Sequence, residues 1–222
     1  MPVKWVFYWV PNAGSTVNSQ VINEISQCIE SINGVKEGRW KATLTIYRPI
    51  LKVEPALGDL PRDLLGIALP EQPNKYYFIL RGQKLILEAE QTIQTIMEKL
   101  QSYKTRVQFI SEGFQYKLGD FMIRVGKVVP ANAESLRGVI MDVEYLPLSS
   151  LDQSQLVMED FSEILQETLS RRSMPGHFMH APSNFADYNL ADRYTSEHTA
   201  IQYAGVLTHL ISTAQSIHNG RN

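Results

Sequence analysis

Between Gly113 and Pro147 the chain alternates residue by residue. Phe121, Ile123 and Val125 are interleaved with Met122 and Arg124. Val139, Met141, Val143 and Tyr145 are interleaved with Ile140, Asp142 and Glu144. A period of two puts successive side chains on opposite faces of a strand, so this pattern admits strands and excludes a helix. Leu118-Gly119-Asp120 is the turn between the first two runs, because glycine accepts the positive φ of a tight hairpin. The stretch predicts a three-strand antiparallel meander. With the Phe121 and Val139 rows facing a core, Asp142 and Glu144 face outward. Met122 and Ile140 then stand as apolar residues on polar rows, and both are candidate partner-binding residues.

The flanking sequence supplies more strands and several helices. A first strand is expected over Lys4 to Val10. A helix follows, capped by Ser15 or Thr16, with Val17, Val21, Ile25, Cys28, Ile29 and Ile32 on one side and Gly34 as its left-handed stop. Trp40, Ala42, Leu44 and Ile46 alternate with Arg39, Lys41, Thr43 and Thr45 in a second strand, which Pro49 closes. Residues 55–74 carry four prolines and read as a surface excursion with a helical turn around Arg62 to Leu65, part of which packs down through Leu60, Leu64, Leu65, Ile67 and Leu69. Tyr76 to Leu80 and Lys84 to Leu87 form a hairpin about Arg81-Gly82-Gln83. A helix from Gln91 presents Ile93, Ile96, Met97 and Leu100. A strand from Arg106 then leads into the meander.

After Pro147 a helix is expected, capped by Asp152 or Ser154, with Val157, Phe161, Ile164, Leu165 and Thr168 on its buried face. Residues 171–186 read as a mobile loop. The last helix starts within Ala191 to Thr195 and runs to Ile217. Its stripe is Ala200, Tyr203, Ala204, Leu207, Leu210, Ile211, Ala214 and Ile217, and residues 219–222 form a frayed tail. The element order predicts one α+β domain over residues 1–222, with a mostly antiparallel sheet of about seven or eight strands. Closing that sheet into a barrel would remove its exposed edges.

Composition narrows the function classes. The chain has 222 residues, 44% of them apolar, and a formal net charge of −2. That balance lacks the basic excess of a duplex-binding domain. No run of about 20 apolar residues is present to form a spanning helix. The apolar N-terminus, Trp5, Phe7, Tyr8 and Trp9 included, is expected as a packed first strand in place of a signal peptide or a base-stacking platform. Cys28 has no partner for an intramolecular disulfide, suits a reducing compartment, and falls on an apolar helix stripe as a buried thiol.

No chemistry-bearing constellation converges. His177 and His180 form the one close histidine pair, without the further ligands that zinc wants. His198, His209 and His218 are not spaced to share a chelating helix face. Asp142 with Glu144, and Glu88 with Glu90, are acid-x-acid pairs of the kind a tunnel-type, metal-dependent phosphohydrolase would carry. That alternative also needs inward basic rows. Arg39 and Lys41 would serve, but Arg124 and Lys127 fall on opposite faces. Serine-elbow, phosphate-loop and dinucleotide motifs are absent. Ser170-Arg171-Arg172-Ser173 reads as a solvated helix end. The expectation is therefore no catalytic residue, no cofactor and no metal.

One resemblance gives these residues a context. Tyr116, Asp120-Phe121, Val125-Gly126-x-Val128, Arg137-Gly138 and Val143-Glu144-Tyr145-x-Pro147 resemble the subunit 20 family of the transcriptional Mediator head module. Tyr188-x-x-Ala191-Asp192 and Gln202-Tyr203 extend the likeness towards the C-terminus. The resemblance implies a barrel-like sheet with helices packed around it and a nuclear, non-enzymatic coactivator subunit. It further implies pairing with head subunit 18, a tether through the C-terminal helix of subunit 8, and contact with RNA polymerase II and the TATA-binding protein.

Overall fold

The computed structural model describes residues 1–50, 64–172 and 174–219, with side chains described up to residue 212. The chain runs β1 (Val3–Pro11), α1 (Ser19–Ser31), β2 (Val35–Pro49), β3 (Leu64–Ala68), β4 (Lys75–Leu80), β5 (Leu85–Glu90) and α2 (Ile93–Leu100). It continues through β6 (Tyr103–Leu118), β7 (Phe121–Pro130), β8 (Gly138–Tyr145), α3 (Leu151–Ser170), β9 (Gly176–His180) and α4 (Ser196–Asn219). The nine strands form one sheet in the order β5-β4-β3-β2-β6-β7-β8-β1-β9, and every neighbouring pair is antiparallel.

The expected meander is β6, β7 and β8. Its first turn is set by Gly119, at φ +57°, with Leu118 and Phe121 paired behind it. Gly126 meets a second steric demand. A Cβ there would run into the Glu112 carbonyl and the Trp40 indole, so only glycine lets β6, β7 and that ring approach.

Helix α4 packs against β1, β2, β3, β4 and β5. In a flat sheet β1 and β5 would lie about 34 Å apart at the usual strand spacing, whereas a helix with its side chains is only about 10–12 Å across. The sheet therefore curls around α4 into a barrel-like trough. Its edges, β5 and β9, do not pair with each other. A bridge from Lys84 to Asp187, 3.0 Å long, ties the segment after β9 across to the β5 side.

The inner face carries Val6, Tyr8, Trp40, Ala42, Leu44, Ile79, Phe109, Val128 and Ile140 against Ala200, Tyr203, Ala204, Leu207 and Leu210 of α4. The outer face has two separate cores. Phe7, Trp9, Tyr116, Ile123, Val125, Met141 and Val143 pack beneath α1 and α3, with Ile25, Cys28, Met158 and Leu165. Tyr47, Tyr76, Phe78 and Leu80 pack towards Ile93 and Met97 of α2.

Several local expectations change. The cap of α1 is Asn18, whose side chain accepts from the backbone N–H of Gln20 and Val21, and its left-handed stop is Asn33 at φ 69°. The cap of α3 is Ser150, which accepts from Gln153 N–H. Ile164 is exposed, and Ser154, Met158, Leu165 and Leu169 form the buried face, because the helix is rotated to meet α1 and β9. Leu64–Ala68 is a strand between β2 and β4, in a stretch read as a surface excursion. The strand contains none of the four prolines of that stretch, and its Leu64, Leu65 and Ile67 are buried. Arg62 and Asp63 of the expected helical turn lie outside the described residues, as do residues 220–222 of the expected tail. Residues 171–186, read as a loop, contain β9, held to β1 from Phe7–His180 to Pro11–Gly176.

Candidate functional site

Polar side chains converge on the inner face, where β1, β7, β8 and α4 meet. Register sets Arg124 opposite Asp142, Met122 opposite Glu144, Val6 opposite Asp142 and Lys4 opposite Glu144. The even row of β8 therefore faces the barrel interior. Asp142 is 1% exposed and Lys4 is 0% exposed. The expectation that Asp142 and Glu144 face outward is corrected here. Both rows of β8 are buried, the odd one beneath α1 and α3, the even one against α4.

The charges answer one another. Arg124 Nη1 lies 3.2 Å from Asp142 Oδ1, and Nη2 lies 2.8 Å from Glu144 Oε2. Lys4 Nζ is 2.6 Å from Glu71 Oε1, 3.7 Å from Glu144 and 3.9 Å from Asp142. Tyr203 OH donates to Asp142 Oδ2 at 2.8 Å. Burial by itself disfavours the Arg124 cation, but Asp142 and Glu144 outweigh it and hold its pKa above the ordinary value. Burial first, and Asp142 second, push the Tyr203 phenol well above its usual range.

Gln202, one residue along α4, completes the arrangement. Its Oε1 accepts from Val6 N–H at 3.0 Å, and its Nε2 donates to the Lys4 carbonyl and to Tyr194 OH, each at 2.8 Å. The ladder between β1 and β9 ends at Phe7 with His180. The Gln202 amide takes over where it stops, satisfying buried backbone groups that would otherwise lack partners. The cluster therefore pins α4 to β1 and β8. Each acid is consumed by a cation or a phenol, which leaves no poised base.

Glu88 and Glu90 do not join this cluster. They sit on β5, exposed, with Lys75 Nζ at 3.1 and 2.8 Å, and Tyr77 OH donates to Glu88. The two acid pairs thus close on different cations, and the convergence that a tunnel-type phosphohydrolase needs does not form. The basic rows diverge as well. Arg124 points inward with the acids, whereas Arg39, Lys41 and Lys127 line the outer face. Among the described residues, no group of His, Cys, Asp and Glu is gathered as for a metal ion. His180 stacks on Trp5, centroids 4.3 Å apart and planes 3° from parallel, and burial lowers its pKa to about 4. His198 accepts from Thr195 N–H through Nδ1 and meets the Ala191 carbonyl through Nε2. Cys28 is buried, which raises its thiol pKa. Arg171 pairs with Glu167 at 2.6 Å on the solvated end of α3.

Of the two candidate partner residues, Ile140 is corrected. It is 0% exposed and belongs to the inner core against α4. Met122 is half-buried at the end of the same inner row, beside Glu144 and Lys117 in register. Sequence reasoning missed Lys4 and Glu71 as members of the cluster. Lys4 lies at the far N-terminal end of the sequence, on the strand that pairs with β8, and Glu71 sits in the proline-rich excursion. The available signal was Gln202-Tyr203, two polar residues on an otherwise apolar helix face.

A family described as "TATA-binding related factor (TRF) of subunit 20 of Mediator complex" matches residues 1–208. Mediator of RNA polymerase II transcription subunit 20b of Arabidopsis thaliana is 52% identical over 97% of this chain and 99% of its own. Mediator subunit 20 of Anopheles gambiae is 24% identical over 83% of this chain and 84% of its own. A chain in the Schizosaccharomyces pombe Mediator head module aligns at a TM-score of 0.42 and 13% identity, over 81% of this chain and 100% of that one. With more than half of the chain matched by the family and a curated relative at this identity over nearly its whole length, the chain belongs to the Mediator complex subunit 20 family.

Proposed function

We propose that this chain is a nuclear, non-enzymatic subunit of the Mediator head that acts by binding. It pairs with head subunit 18, a related barrel. Through that pair it is tethered by the C-terminal helix of subunit 8, and it helps relay regulation to RNA polymerase II, with the TATA-binding protein as a further contact. The 52% identity to a Mediator subunit 20b across 97% of the chain carries this reading. The inner cluster supports it, because its acids are internally neutralised and serve the fold. The sheet edges β5 and β9 are the strands through which a partner sheet would add by main-chain hydrogen bonds. Met122, at the rim of the inner row, is the remaining apolar contact from the meander.

Purification of the tagged chain from nuclei, with mass-spectrometric identification of its companions, tests the proposal. Head subunit 18 in near-equal amount is expected. Recovery of the chain without any head subunit overturns it.

A further inference from the structure

Among the described residues, the two outer cores leave a strip of sheet uncovered between them. On one side α1 and α3 cover β1, β7 and β8, and on the other α2 covers the Tyr47 and Tyr76 end. The strip is built from the outward row of β2, its register partners on β6, and Lys127 of β7. Lys36 is paired with Tyr116, Arg39 with Phe114, and Lys41 with Glu112, which in turn faces Lys127. Lys36, Arg39 and Lys41 are exposed, whereas Phe114 and Ile110 are half-buried between them.

The charge there is one-sided. Lys127 is bonded to Glu112 at 3.3 Å, with both side chains close to half exposed. Among the described residues, Lys36, Arg39 and Lys41 have no carboxylate partner, and the acid nearest to them in sequence is Glu37 at the β2 bulge. Lys36 Nζ instead stands 3.3 Å above the Phe114 ring centroid, and the Arg39 guanidinium carbon lies 5.7 Å from it. Phe114 thus props two cations outward over an apolar floor. Arg39, Lys41, Phe114, Glu112, Lys127 and Ile22 of α1 line a depression of about 650 Å³. This concentration of positive charge stands on a chain whose overall charge is −2.

We propose that this strip is a docking surface for an extended, acidic segment of a partner protein. Arg39 and Lys41 are alternate residues of one strand, so their Cα atoms lie about 6.8 Å apart, the same repeat as alternate side chains of an extended peptide. Carboxylates at every second position of such a segment meet the cations in step. The methylenes of those acidic side chains rest over Phe114, and the interleaved side chains of the segment point away from the sheet. A nucleic acid fits less well, because a few cations beside Glu112 on an acidic chain fall short of the basic excess that phosphate binding uses. The surface is separate from the β5 and β9 edges and from Met122, so the inference does not rest on the pairing proposed above.

The test is an anisotropy titration of the full chain with a short labelled peptide alternating Glu with Val. The same peptide with Gln for Glu, and a labelled oligothymidylate, serve as the other arms. The Glu peptide is expected to bind, and its affinity to fall about tenfold or more as salt rises from about 50 mM to about 300 mM, since screening shortens the reach of exposed charges. The doubly reversed variant Arg39→Glu with Lys41→Glu should lose about tenfold or more at low salt, because like charges then face the peptide. A milder Lys36→Gln with Lys41→Gln variant, matched to the parent by its thermal melt, should lose part of the affinity and so separates charge from folding. Equal binding of the Glu and Gln peptides, unchanged binding by both variants, or tighter binding of oligothymidylate than of the Glu peptide would each overturn the inference.

Discussion

Arg124 and Arg39 lie on neighbouring parts of one sheet and do opposite things. Arg124 faces inward, 11% exposed, and spends its guanidinium on Asp142 and Glu144. Arg39 faces outward, exposed, and rests near Phe114, with no carboxylate partner among the described residues. Around Arg124 the charges are desolvated, so each is stable only while its partners stay in place. Around Arg39 water does that work, and the cation is available to something else. The same residue type therefore builds the fold on one face and leaves an open surface on the other. Position relative to α4, not composition, decides which.

Substitutions that break this contrast differ in size. Arg124→Met strands Asp142 and Glu144 and should cost about 3–5 kcal/mol of stability in urea unfolding, the usual loss when a buried pair is broken from one side. Leu207, 0% exposed on the α4 face inside the trough, should lose about 2–5 kcal/mol on Leu207→Ala in the same measurement. Tyr203→Phe takes the phenol donor from Asp142 Oδ2 and should cost about 1–3 kcal/mol, because the acceptor stays buried.

A pH series sharpens the comparison with the β9 edge. Burial pushes the His180 pKa down to about 4. Between about pH 6.5 and about pH 4 the unfolded chain takes up a proton that the native ring refuses. The His180 contribution is therefore intact above about pH 6.5 and is lost as pH falls through that window. Burial lowers His198 in the same direction, so His180→Phe should flatten only part of the slope in urea melts taken across this range. Arg39→Met is the smallest change. It should shift stability by no more than about 0.5 kcal/mol, as exposed substitutions usually do.

The meander was legible because its alternation and its Gly119 turn are local signals, and both appear where the pattern puts them. The inward stripe of β2 and the α4 stripe through Ile211 were legible for the same reason. The destination of the even row of β8 was not. Alternation assigns two faces to a strand but says nothing about whether the second face is also covered. Here α4 covers it, so Ile140, Asp142 and Glu144 are interior. Nor does local pattern show that Lys4 meets residues of β8, since that contact depends on β1 inserting between β8 and β9. Gln202 and Tyr203 were visible as a motif, but their role required the sheet to curl. Strand β9 was hidden because Gly176 to His180 is short, lacks a regular apolar and polar alternation, and is paired on one side only.

The inner charges hold the curled sheet around α4. The most direct test of this role is the urea-unfolding free energy of a variant neutralised on both sides, Arg124→Met with Asp142→Asn and Glu144→Gln, beside each half alone. The triple variant retains Lys4 with Glu71, which lie 2.6 Å apart, and keeps an acceptor for Tyr203. The account predicts that it recovers more than half of the about 3–5 kcal/mol lost by Arg124→Met, because the stranded charges are gone. A triple variant as unstable as the sum of its two halves would contradict it.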